Sequence, residues 1–196
     1  MTELLVVPIA YLLGSLPFGY WVPRLVRGED IRTRGSGNVG ASNVFRVYGR
    51  SLGVPVAALD LAKGFAAAAL GLWAGGALIG VLAAAAAMIG HARPIFLRFE
   101  KGGKMVATAG GATLALAPLA ALICIATWLL VFLVTRYASL ASIATALALA
   151  ILVVVLDYPW PIIAFGIAGA AAVIALHRQN VRRLLGGTEH RFGLGR

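Results

Sequence analysis

No Asp, Glu, Lys or Arg occurs between Glu3 and Arg24, between Lys63 and Arg93, or between Lys104 and Arg136. The same holds between Arg136 and Asp157 and between Asp157 and Arg178. Apolar runs of this length match or exceed the roughly 17–25 residues that cross a bilayer as a helix. In hydrocarbon, every backbone polar group must be satisfied within the protein, which leaves helices or closed barrels. Period-2 alternation is absent, so a barrel does not fit. Of the 196 residues, 61% are hydrophobic and only 12% are charged, against about 25% charge in a soluble domain. Disorder is excluded by the same composition. The chain reads as all-α, a polytopic helical membrane protein.

Seven transmembrane helices are expected, at about residues 4–22, 52–73, 77–96, 105–117, 119–135, 140–156 and 161–176. Pro118 marks the weakest boundary, since 105–134 can also be drawn as one long helix. Charge decides between the two. With a break at Pro118 and the N-terminus outside, all 17 Lys and Arg fall on or near the inner face, Lys63 alone lying deep in a span. The outer turns near 73–76, Pro118 and 157–160 then hold no basic residue, so the positive-inside rule puts the C-terminus in the cytoplasm. The net charge of +10 would suggest nucleic acid in a soluble protein; here it is topological, and no nucleic-acid partner is expected.

The N-terminal stretch lacks a basic n-region and reads as a retained first helix. The lone Cys124 cannot form an intrachain disulfide. No repeat is evident. The Ala runs at 66–69 and 83–87, with Gly71, Gly75, Gly76 and Gly80, read as small-residue packing faces. Trp73, Tyr137, Tyr158 and Trp160 suit interfacial belts.

Polar residues gather in four inner-face segments. Gly35-Ser-Gly-Asn-Val-Gly-Ala-Ser-Asn43 has the glycines for an anion-binding nest of backbone N–H groups. Asn38 or Asn43 can cap a short helix there, and Arg46 offers a forked donor suited to phosphate. Asp60 and Lys63 lie one turn apart on one helix face, close enough to pair; such intramembrane charges are functional or structural pairs. His91 follows, then Lys101-Gly-Gly-Lys104, which puts two ammonium groups and exposed amides before a helix, a second phosphate cradle. The P-loop spacing is absent. His177 and Asn180 lie one turn apart at the inner end of the last span, ahead of a basic tail suited to anionic lipid. No clustered ligand set for a metal, no nucleophile elbow and no Rossmann fingerprint occurs. Cationic and amide donors at a lipid–water boundary suit a phosphorylated substrate meeting a lipidic one.

In these residues the chain resembles the PlsY family of bacterial acyl-phosphate:glycerol-3-phosphate acyltransferases. The matches are the 35–43 segment, Asp60-x-x-Lys63-Gly64, Gly90-His91-x-x-Pro94-x-Phe96 and Lys101-Gly-Gly-Lys104-x-Val-Ala-Thr108. Arg136-Tyr-x-Ser139-Leu-x-Ser142 and His177-Arg-x-Asn180-x-x-Arg183-Leu complete them. The resemblance implies acyl transfer from acyl phosphate to the 1-hydroxyl of glycerol 3-phosphate, giving lysophosphatidate, the first step of phosphatidate synthesis. It also implies seven spans, a cytoplasmic-face site in the bacterial cell membrane and no cofactor or metal; the protein is expected to act as a monomer. Carried over residue by residue, it makes His177, Lys104 and Ser36 catalytic. It gives substrate binding to Asn38, Arg46, Lys101, Ser142, Asn180 and Glu189, with Asp60, Lys63 and His91 as structural neighbours. Two departures stand out: Glu100 is an extra residue before the Lys-Gly-Gly-Lys core, and Met105 occupies a position expected to be Gly.

Acyl phosphate has a good leaving group, so positioning and charge neutralisation can supply most of the catalysis. His177 is expected to take the hydroxyl proton or to orient the substrate so that its own phosphate does; an acyl-serine through Ser36 is a third route. An organic-phosphate transporter would need mid-membrane polar groups and an internal repeat. An anionic-lipid scaffold would not need the glycine-rich segments.

Overall fold

The computed structural model describes residues 2–193; Arg196, counted above among the inner-face basic residues, lies outside them. Among the described residues the regular structure is helical throughout, with no strand. The chain forms two compact units, Met1–Leu116 and Ala117–Arg196.

In the first unit α1 (Thr2–Gly14) and α2 (Phe18–Arg27) are followed by a 3-10 turn at Ile31–Thr33 and by α3 (Ala41–Tyr48). Then come α4 (Arg50–Ala92), a 3-10 turn at Ile95–Leu97 and α5 (Val106–Leu116). The expected first span is not one continuous helix. Ser15, Leu16 and Pro17 interrupt it, because Pro17 has no N–H to donate and disfavours helical geometry at Leu16. The apolar run hides this break.

Gly75 and Gly76 leave helical geometry inside α4, Gly76 with φ 71°, a left-handed backbone that glycine adopts without strain. They form the turn expected at 73–76, and limbs 50–74 and 77–92 fold back on one another. A Cβ on Gly71 would lie 2.6 Å from the Ile79 carbonyl oxygen. The Ala runs do pack: Ala67, Ala83 and Ala87 are fully buried and cluster with Val6 and Ala10 of α1. A Cβ on Gly111 of α5 would overlap the Leu61 carbonyl of α4, the close backbone approach that small residues permit between apolar helices.

Between the units, Ala117 leaves helical geometry and Pro118 begins the next helix, so residues 105–134 are not one helix. The second unit comprises α6 (Pro118–Thr135), α7 (Ala138–Val155), α8 (Trp160–Leu176) and α9 (Arg178–Leu185). Trp128 Nε1 of α6 donates to Ser142 Oγ of α7 at 3.3 Å. The tail returns to the α6–α7 turn, where the Phe192 N–H donates to the Arg136 carbonyl at 2.9 Å and the Phe192 ring meets Phe132 edge-on. Among the described residues, four helical stretches are long and apolar enough to cross a bilayer, or five when α8 is taken with α9, bent from it by 59°.

Candidate active site

Ile31, Val39, Val44, Leu52, Val56 and Leu97 form a buried cluster. It seats the first glycine-rich loop on α3 and on the start of α4. Gly35 and Gly37 have φ of 58° and 70°, so the loop turns where glycine is needed. Asn43 organises it: its Oδ1 accepts the Ser36 N–H at 2.9 Å. Its Nδ2 donates to the carbonyls of Arg34 at 3.1 Å and Asn38 at 2.9 Å. The N-cap of α3 is Gly40, with no side-chain cap. The expected side-chain cap by Asn38 or Asn43 is therefore not formed; Asn43 reaches back into the loop, and Asn38 bonds elsewhere. Asn38 Oδ1 accepts the Gly40 N–H at 2.8 Å, and its Nδ2 donates to the Gly102 carbonyl at 3.0 Å, across 64 residues. Asn38 thus ties the two glycine-rich loops together.

The N–H groups of Gly102 and Gly103 donate to the carbonyls of Ala92 and His91 at 2.9 and 3.0 Å, capping the C-terminus of α4. Those of Ser36, Gly37 and Gly40 are also taken internally. These five N–H groups are therefore taken by protein acceptors, and the cationic side chains on the two loops and on α3 are further donors suited to an anion. Lys101 is exposed, while Lys104 and Arg46 are half-buried. Met105 has φ 68° and its carbonyl starts α5 by accepting the Ala109 N–H at 2.7 Å. A left-handed backbone is the reason glycine suits that position.

Glu100 directs its carboxylate to Arg32, Oε2 to Nη1 at 2.7 Å. Arg32 also pairs with Asp30 at 2.7 Å and lies over the Tyr20 ring. The Arg32 guanidinium holds the Asp30 carboxyl below the usual carboxylate range. Arg98 and Phe99, with φ of 53° and 60°, form the turn that carries the extra residue.

Asp60 and Lys63 pair as expected, Nζ to Oδ1 at 2.9 Å, and Lys63 Nζ also donates to the Leu16 carbonyl freed at the α1–α2 break, at 2.8 Å. His91, buried at the end of α4, brings Nδ1 to 3.5 Å from Asp60 Oδ1.

In the second unit, His177 ends α8 and is buried. Its Nδ1 lies 2.7 Å from the Val173 carbonyl; a carbonyl only accepts, so Nδ1 carries the hydrogen and Nε2 of the neutral ring is the acceptor. Asn180, one turn on, donates through Nδ2 to Glu189 Oε1 at 2.6 Å. Ser139 donates to the same oxygen at 2.7 Å, and Arg183 Nε to Glu189 Oε2 at 2.6 Å. Burial raises the Glu189 pKa, but the hydrogen bonds from Asn180, Arg183 and Ser139 outweigh it and hold the carboxyl below its ordinary value. Ser142 Oγ donates to the Ala138 carbonyl at 2.7 Å and accepts from Trp128.

In the first unit, then, Ser36, Asn38, Lys101 and Lys104 share two joined loops, Arg46 lies on the following helix, and Asp60, Lys63 and His91 form one cluster. In the second, His177, Asn180 and Glu189 gather at the α8–α9 junction, while Ser142 faces Trp128. Asn43 was expected only as a helix cap, and Arg32 carried no site role in the sequence. Ser139 and Arg183 lay inside the motifs, but nothing in the sequence joined them to Glu189.

Helices long and apolar enough to cross a bilayer, carrying cationic loops tied to a helix end, define a membrane-type protein. A family profile for glycerol-3-phosphate acyltransferase matches residues 4–187, and the chain belongs to that family. It is 47% identical over 190 residues to glycerol-3-phosphate acyltransferase 2 of Moorella thermoacetica, covering 97% of each chain. To the Aquifex aeolicus glycerol-3-phosphate acyltransferase it is 44% identical over 194 residues, 98% of this chain and 100% of that one. Two crystal structures of PlsY, an integral membrane glycerol 3-phosphate acyltransferase, share the fold. The glycerol 3-phosphate form aligns with a TM-score of 0.94 at 42% identity, over 98% of this chain and 96% of that one. The lysophosphatidic acid form aligns with a TM-score of 0.90 at 41% identity, over the same shares.

Proposed function

We propose that the protein transfers an acyl group from acyl phosphate to the 1-hydroxyl of glycerol 3-phosphate, giving lysophosphatidate and phosphate. The observation that carries this reading is the Asn38–Gly102 bond, which joins a Ser36-bearing loop to the Lys101–Lys104 loop and so collects donors for a phosphate on one part of the first unit. The relatives' names and the two ligand forms of PlsY support the substrate class.

The hydroxyl oxygen attacks the acyl carbonyl carbon, the bond from that carbon to the phosphate oxygen breaks, and phosphate leaves. Arg46 and Lys101 bind phosphate as charge-assisted donors. Lys104 and the Ser36 hydroxyl stabilise charge on the transferring carbonyl and departing phosphate. His177, with its acceptor at Nε2, orients the hydroxyl, and the proton passes to the substrate's own phosphate. Asn180 and Glu189 hold the His177 turn in shape. Ser142, whose hydroxyl already serves Ala138 and Trp128, acts on packing before substrate.

Residues 1–196 act as one transmembrane acyltransferase domain, a monomer of seven spans in the bacterial cell membrane, with the N-terminus outside and chemistry on the cytoplasmic face. The 11 residues of α5 rise only about 16 Å, so the Lys101–Lys104 loop dips into the inner leaflet toward a lipidic donor. Purified protein given glycerol 3-phosphate and acyl phosphate in detergent or lipid mesophase should form lysophosphatidate. Phosphate release without that product would mean hydrolysis and would overturn the reading.

A further inference from the structure

We propose that His91 is a positioning residue for the Lys101–Lys104 loop, held in place by the buried Asp60–Lys63 pair; this rests on the reading that the loop binds the phosphate of glycerol 3-phosphate. Asp60 and Lys63 are each 2% exposed at the side chain and His91 is 7% exposed. The ammonium is fixed twice, on Asp60 and on the Leu16 carbonyl, so the carboxylate is anchored to two elements rather than to its own helix alone. That carboxylate faces Nδ1 of His91, which comes from the other limb of α4.

The opposite edge of the imidazole lies under Gly103. A Cβ at Gly103 would overlap Nε2 and come within 2.6 Å of Cε1 and 2.9 Å of Cδ2. The His91 carbonyl meanwhile accepts the Gly103 N–H at 3.0 Å. One residue therefore supports the loop with its ring and hooks it with its backbone, and Lys104 is the next residue in the chain. A pair that served only to pack helices would stabilise the fold without bearing on the loop. Here the ammonium fixes the carboxylate, the carboxylate fixes the ring, and the ring sets the height of Gly103. Both charges are buried, so neither can turn to water and let the ring swing.

The test measures lysophosphatidate formation by full-length variants in detergent, with glycerol 3-phosphate varied at saturating acyl phosphate. His91→Asn keeps a donor near the Nδ1 position and removes the edge beneath Gly103. It should raise KM for glycerol 3-phosphate about tenfold or more, as expected for a displaced binding group, and leave kcat within about threefold. Gly103→Ala should also raise KM. In the double variant His91→Asn/Gly103→Ala the new methyl occupies the vacated space, so KM should fall below that of Gly103→Ala alone. A wild-type KM in His91→Asn, effects that simply multiply in the double variant, or a fall in kcat alone would each overturn the proposal. If His91→Asn does not fold, Asp60→Asn/Lys63→Met, which removes both charges with little change in volume, must show the same KM rise, and an unchanged KM overturns the proposal. Lys101→Met separates the two readings. A raised KM there with no effect at His91 defeats only the positioning role, whereas no change in Lys101→Met defeats the phosphate assignment of the loop.

Discussion

The Asp60–Lys63–His91 cluster and the Arg32–Asp30–Glu100 cluster both bear on the Lys101–Lys104 loop, the first through the end of α4 and the second through the residue before Lys101. Water reaches only the second. Arg32 and Glu100 are 34% and 58% exposed at their side chains, against 2% for both Asp60 and Lys63. An exposed pair that breaks exchanges one set of contacts for hydration and contributes about 0–1 kcal/mol. A buried pair that loses one partner strands the other in low dielectric. Similar charges at similar distances thus do different work: the inner cluster fixes the loop's seat, and the outer one trims its approach.

Lys63→Met should have the largest effect. It leaves Asp60 buried without its cation, at about 3–5 kcal/mol, read as a large drop in thermal midpoint in detergent. Asp60→Asn/Lys63→Met, which removes the charge of both, should recover most of that loss. If Lys63→Met alone melts like the wild type, the contrast between the two clusters collapses.

Glu189 of the second unit is intermediate, buried yet fully hydrogen-bonded. Glu189→Gln loses charge-assisted bonds and should destabilise by about 2–3 kcal/mol. Its folded pKa lies below the ordinary value of 4.5. The carboxylate's contribution is therefore complete above that value and disappears as pH falls through the lowered folded one. An acid-melting series should show wild type and Glu189→Gln converging as pH drops below 4.5; a constant gap would contradict the assignment.

Glu100→Gln should give the smallest change, about 0–1 kcal/mol and weaker at high salt. A loss as large as that of Lys63→Met would mean that the outer cluster is the anchor.

Much of this was readable from sequence where one residue carries the signal. Pro118 stops a helix whatever surrounds it, the Gly75–Gly76 turn lies between two apolar runs, and Asp60 and Lys63 pair because helical geometry puts them on one face. The break at Ser15–Pro17 was lost because hydropathy continues across it. What the chain alone did not reveal depends on distant partners. Asn38 meets Gly102, Glu189 meets Ser139, and Glu100 turns to Arg32 rather than to its lysine neighbours. Nor could glycine content show that the N–H groups of Ser36, Gly37, Gly40, Gly102 and Gly103 are already taken by protein acceptors.

Arg46 tests the proposed phosphate site most directly, because its guanidinium is matched to a phosphate dianion and it belongs to α3, outside both charged clusters. Initial rates of lysophosphatidate formation by Arg46→Ala, with each substrate varied in turn, should show KM for glycerol 3-phosphate raised about ten- to a hundredfold, as for one lost charge-assisted contact. KM for acyl phosphate should change much less. An unchanged KM for glycerol 3-phosphate in a folded Arg46→Ala protein would contradict the account.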